Sequence, residues 1–189
     1  MILIRVAKIA TIAALAAYAF IVAYDNIVDY SSNYEFVKHV LSMDTTFPGN
    51  ALTHRAIVNE NVWRAAYTLI IAIEGLTAVL LVLGTVALLK RLKAPAEVFN
   101  RIKVWAVVGL TVGFGLWFFG FIVVAGEYFA MWQSKDWNGQ EAAFRIATEI
   151  LGVQTGRPQN FVSMILLLVP GLPSCFRLKC RRSLFLRLG

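Results

Sequence analysis

From Val104 to Gly126 the chain reads VWAVVGLTVGFGLWFFGFIVVAG, with no charged residue. A helix of about 23 residues, rising 1.5 Å per residue, crosses a hydrocarbon core of roughly 30 Å. A spanning helix fits such a run because, in lipid, every backbone N–H and C=O must be bonded within the segment. The character changes at once to an acid, Glu127, and then to Tyr128, Phe129, Trp132 and Trp137, aromatics of the kind that anchor at the headgroup level. Composition agrees: 59% of the residues are apolar, 15% are charged and mean hydropathy is +0.67. The net charge of +7 does not call for nucleic acid, because Arg177, Lys179, Arg181, Arg182 and Arg187 gather at the C-terminal end. The remaining charge follows the loop asymmetry that membrane insertion requires.

Two further spans are expected, at 7–28 and 63–89. The first follows Arg5 and Lys8, and its apolar run continues past Ala17 and Ala19 without the polar break of a cleavage site. The second, starting at about Trp63, is interrupted by Glu74, about nine residues in from its start and so about 14 Å below the interface by helical rise. A fourth span lies within 142–176, by one of two paths. Either a kinked helix from Ala142 to Val169 crosses, or Ala142 to Leu151 lies at the interface and Phe161 to Phe176 crosses. The fold class is therefore all-α, a four-helix transmembrane bundle forming one domain over 1–169, with a basic tail at 170–189. Lys90, Arg91, Lys93, Arg101 and Lys103 crowd the loop around Pro95, whereas the 25–61 loop is acidic. Both termini are expected in the cytoplasm and the acidic loop outside.

That outer loop carries structure of its own. Ser32 followed by Glu35 fits a capping box, and Phe36, Val37, Val40 and Leu41 then recur at helical spacing. The segment DTTFPGN ends this helix with turn residues, and a further start at Thr53 or Asn59 leads into the second span.

Several separated segments, DYSSNYEFVKHVLSMDTTFPGN, Glu74 with GLTAVL after it, GLWFFGF, GEYFAMWQS and WNGQ, resemble an uncharacterised bacterial family of predicted small integral membrane proteins, domain of unknown function 2165. The resemblance runs from about Ala10 to Arg145. It implies an inner-membrane protein of four helices and no particular chemistry. After Leu151 the chain departs from it: VPGLPSCFRLKCRRSLFLRLG resembles translation out of frame, which sequencing of the genomic DNA would test.

Glu74 is the first candidate for function, because an ionisable group deep in a span is costly and often marks a pathway. The alternative is a protonated acid fixing helix pairing. Arg145 and Glu149, four residues apart, could join Glu127 above Glu74 in a charge-compensated intramembrane group. Ala106, Gly113, Gly120 and Glu127 recur every seven residues, and with Gly109 they make a small-residue stripe suited to close helix packing. His39 and His54 lack ligand spacing, and Cys175 and Cys180 make a poor metal pair; no metal and no cofactor are expected. No nucleotide loop or hydrolytic triad is present.

The leading expectation is a non-catalytic accessory or assembly component, with the lipid bilayer and a membrane-protein partner or second copy as partners and no nucleic acid. A small proton- or ion-coupled transporter built on Glu74 is the alternative, and a quinone- or lipid-binding enzyme subunit the weaker one.

Overall fold

The computed structural model describes residues 2–155, all of whose regular elements are helical. The rest of the expected fourth span, the basic tail, both cysteines and the segment that resembles out-of-frame translation lie outside the described residues.

Helix α1 spans Ile2–Val28, α2 Tyr30–Ser42 and α3 Glu60–Lys90. A short α4, Ala96–Arg101, precedes α5, Val104–Phe114, which continues without a break as a π-helix over Gly115–Tyr128; α6 covers Gln140–Thr155. Single 3-10 turns sit at Ala51–Arg55 and Met131–Gln133. Among the described residues, three stretches are long and apolar enough to cross a membrane: Ile2–Val28, Glu60–Lys90 and Ala96–Tyr128. The expected spans at 7–28, 63–89 and 104–126 fall inside them. The described part of the expected fourth is α6, whose 16 residues fall short of the ~20 a crossing needs. It buries Ala143, Ala147 and Ile150.

The central element is α3, which packs against α1, α2, α5 and the π-helix. Its start is set locally, by Asn59, whose side chain accepts from the amides of Asn61 and Val62 and so satisfies two donors that lack intrahelical partners. The start of α2 differs from the expected capping box. The helix begins at Tyr30, with Asp29 at its N-cap; Ser32 is already inside and donates to Asp29 Oδ2 at 2.7 Å, while Glu35 pairs with Lys38 at 2.8 Å. The acid one turn earlier takes the Ser hydroxyl, and the neighbouring Lys takes the Glu. These bonds lower the Asp29 carboxyl below its usual range, chiefly through Ser32, and raise the Lys38 ammonium, chiefly through Glu35.

The two ends of the bundle are built differently. At the basic end the Arg5 guanidinium donates to the carbonyls of Leu92 (2.7 Å) and Ala94 (2.6 Å), just past the C-terminus of α3, and lies 4.4 Å from the Phe99 ring centre. A cation there satisfies carbonyls of the turn that follows α3 and sits at the helix's negative end. The opposite end carries a cap knitted from segments distant in sequence. Gln133 Oε1 accepts from the Phe47 amide (3.0 Å) and Asn50 Nδ2 (3.1 Å), Thr45 donates to Ser134 (2.9 Å), and Arg55 donates to the Tyr128 carbonyl (3.1 Å). Val40, Met43, Phe129, Ala130 and Met131 form its small core. Two of the expected headgroup anchors therefore serve inside the protein: Phe129 is buried, and Trp137 stacks on His39 with ring centres 4.6 Å apart. Tyr128 and Trp132 remain exposed.

Candidate functional site

The small-residue stripe is a packing seam over its first half only. A methyl group built on Gly84 of α3 would lie 2.7–2.8 Å from the backbone and Cβ of Ala106, and one on Gly109 would lie 3.0 Å from Leu80 and Leu81. At Gly113 it would meet Thr77 at 3.0 Å and the Trp117 ring at 3.2 Å. These contacts bring α5 and α3 to backbone distance, as small residues do in lipid.

Gly120 does not continue the seam: a methyl there would meet only Leu116, at 3.6 Å. The π-helix that begins at Gly115 is the reason. Its i→i+5 bonding puts more residues into each turn than the 3.6 of an α-helix, so a seven-residue repeat no longer stays on one face. The bond from the Phe129 amide to the Val124 carbonyl, 3.0 Å, has this spacing. Glu127, next in the repeat, is consequently exposed.

Glu74 is 2% exposed. Asn26 Nδ2 donates to its Oε2 at 2.7 Å, and Asn33 Nδ2 in turn donates to Asn26 Oδ1 at 2.7 Å. The Tyr67 hydroxyl donates to the Asn26 carbonyl at 3.1 Å; near the end of α1 the last carbonyls have no donor within the helix. Each asparagine therefore hands a hydrogen bond down toward the carboxyl group. No hydrogen-bond partner within the described protein occupies Glu74 Oε1, and it is not among the fully enclosed polar atoms that lack one. It opens onto a cavity of ≈ 230 Å³ lined by α1 (Val22, Asn26), α2 (Asn33, Phe36, Val37), α3 (Tyr67, Ile70, Glu74), the π-helix (Trp117, Phe121) and, with Gly139, α6 (Ala142, Ala143, Ile146).

The other expected members do not gather there. Glu127, Arg145 and Glu149 are exposed, and none of them enters an ion pair among the described residues. Residues unremarked in the sequence, Asn26, Asn33 and Tyr67, complete the site instead. Their signal was spacing only in part: Tyr67 and Glu74, seven apart, lie near one face of α3, whereas Asn26 and Asn33, also seven apart, lie on α1 and α2 on either side of Asp29. His39 bonds Asp44 at 2.8 Å and His54 the Ala51 carbonyl at 3.0 Å. No group of three or more His, Cys, Asp or Glu able to hold a metal occurs among the described residues.

Counting from the basic end gives a depth other than the expected ~14 Å. With Lys90 at one boundary, a core of roughly 30 Å takes in about 20 residues of α3 and ends near Ile70, so Glu74 lies about 6 Å inside the far boundary. Counting from Lys8 along α1 leaves Asn26 about 3 Å inside it. Trp63 lies where α3 projects beyond α1 to pack beside the cap, and its indole donates to the Ile57 carbonyl. Toward the basic end the seam is apolar, with Thr77 bonding its own helix at Ile73.

No curated protein and no solved structure matches the chain. The family model described as "Predicted small integral membrane protein (DUF2165)" matches residues 4–154, in agreement with the resemblance carried by the loop and span motifs. The chain belongs to this family and is an integral membrane protein.

Proposed function

We propose that the protein is a non-catalytic component of a membrane complex that binds a small amphipathic ligand beneath its cap and offers the cap to a membrane-protein partner or a second copy. The observation that carries this reading is the cavity: an apolar, aromatic-lined space with a few convergent polar groups is the usual form of a small-molecule site, and its floor holds a buried carboxyl group with one free oxygen. The cap supports it further, since much of its hydrogen bonding is spent on a shaped surface outside the spans. The joining of Arg5 to the basic 92–94 turn favours a cytoplasmic N-terminus and an outward-facing cap in a bacterial inner membrane.

Native mass spectrometry of the full-length protein in mild detergent tests the reading. The wild type should retain a small molecule and Ala142→Trp, which fills the cavity from its exposed wall, should not, with unchanged melting. Equal retention by both, or retention by neither, contradicts it.

A proton- or ion-coupled transporter is the second reading, favoured by the presence of a carboxyl group within a span. It needs a path from Glu74 to the basic end, and proteoliposome flux abolished by Glu74→Gln would support it over the first.

A further inference from the structure

We infer that the cavity takes an organic ammonium group on a compact apolar body. The inference rests on the reading of the cavity as a ligand site and adds the chemistry of the ligand. The polar floor is rich in acceptors. Asn26 spends its amide nitrogen on Glu74 and its oxygen on Asn33, and Tyr67 spends its proton on the Asn26 carbonyl. That leaves Glu74 Oε1 without a partner among the described residues, in a wall that also includes Asn33 and Tyr67. Such a floor calls for a ligand that donates.

Charge narrows the choice further. Among the described residues no Lys, Arg or His lines the cavity, so an anionic ligand would meet a carboxyl group with no counter-charge there, whereas a cation supplies that counter-charge. The walls carry Phe36, Trp117 and Phe121, with the Phe36 and Phe121 ring centres 6.3 Å apart. Aromatic rings beside a carboxylate are the surroundings that attract an ammonium ion, through the negative face of each ring. A metal ion fits poorly, because hard cations take six or more oxygen ligands and the wall offers one carboxylate. The space of ≈ 230 Å³ holds roughly eight water-sized groups, which suits a benzylamine-sized ligand or the amino headgroup of a lipid.

Isothermal titration of the full-length protein in mild detergent tests this with four probes: benzylammonium, benzyltrimethylammonium, benzyl alcohol and benzoate. The two cations should bind at least tenfold more tightly than the alcohol, and benzoate should not bind. Glu74→Gln keeps an oxygen to accept from Asn26 and should keep the fold while losing tenfold or more for the cations alone. Phe121→Leu should weaken the cations several-fold and leave the alcohol unchanged. If the alcohol or benzoate binds as well as the cations, or Glu74→Gln leaves cation binding intact, the ammonium assignment is overturned while the ligand site stands. If no probe of any charge binds, the site reading itself fails. Competition separates the two sources of the same chemistry: displacement of benzylammonium by vesicles of phosphatidylethanolamine, but not of phosphatidylglycerol, identifies a lipid headgroup, and displacement by neither identifies a free amine.

Discussion

The two halves of α3 meet opposite demands. From Thr77 to Leu89 the helix lies against α5 at backbone distance, Gly84 on Ala106 and Leu80 and Leu81 on Gly109, with no polar side chain but threonines bonded to their own helix. From Glu60 to Glu74 it meets the cap and the polar chain of Asn33, Asn26 and Glu74. The difference teaches where this protein keeps its freedom. A seam held by glycine tolerates no added volume, whereas the other half contains a cavity, a π-helix and hydrogen bonds that substitution can redistribute.

The sharpest way to break this contrast is Gly84→Leu. A side chain there would run into the Ala106 backbone, which cannot move without parting α3 from α5, so a loss of about 3 kcal/mol is expected. It should be read as a fall in melting temperature, and an unchanged melt would remove the seam from the account. Glu74→Leu comes next. It leaves the buried Asn26 amide without its acceptor, a cost of about 1–3 kcal/mol, while Glu74→Gln should cost under about 1 kcal/mol because the amide oxygen replaces the lost one. Equal losses for the two would show that Glu74 matters for its charge and not for the bond to Asn26.

Within the cap, Gln133→Ala removes the acceptor shared by Phe47 and Asn50. A loss of about 1 kcal/mol should appear as faster amide exchange over residues 45–50 with the spans unaffected. Gly120→Ala should change the melt least, since its methyl enters ordinary contact space. The same substitution at Gly113 should cost more, and a reversal of that order would contradict the turn of the π-helix away from the seam. The smallest effect is in pH. Ser32 holds the Asp29 carboxyl below its ordinary value of 3.8, so the start of α2 gains stability that is present above that value and lost as pH falls through the lowered one. Amide exchange over residues 30–34 should accelerate only in that acid range, and Asp29→Asn should abolish the dependence.

Much of the membrane architecture was legible in the sequence, because a spanning helix must be long, apolar and internally bonded. The lengths of three runs could be read directly, Asn59 was one of two expected starts for the second span and caps it, and Glu74 stood out because its burial is costly. What depended on neighbours was less legible. Ser32 with Glu35 has the pattern of a capping box, yet Asp29 and Lys38 compete for the same two side chains and win. Gly120 and Glu127 continue a seven-residue repeat on paper, but the repeat marks one face only while the helix keeps its α-helical turn. Trp63 and Trp137 resemble interface anchors, and nothing local says that a cap will cover them. The partners of Glu74 come from α1 and α2, and that register is fixed by how far α3 projects past α1, a quantity set by the cap.

The central claim is that the cavity opens toward the capped end and stops at Glu74, above a dry seam. Cysteine labelling in sealed, oriented vesicles tests it most directly, with Cys175 and Cys180 replaced by serine, Ala142→Cys as the cavity probe and Thr77→Cys as the seam probe. A membrane-impermeant maleimide should label the Ala142 variant from the capped side alone, with benzyltrimethylammonium protecting it, and should leave the Thr77 variant unlabelled from either side. Labelling of the Thr77 variant from the basic side would reveal a continuous path through the bundle and contradict the account.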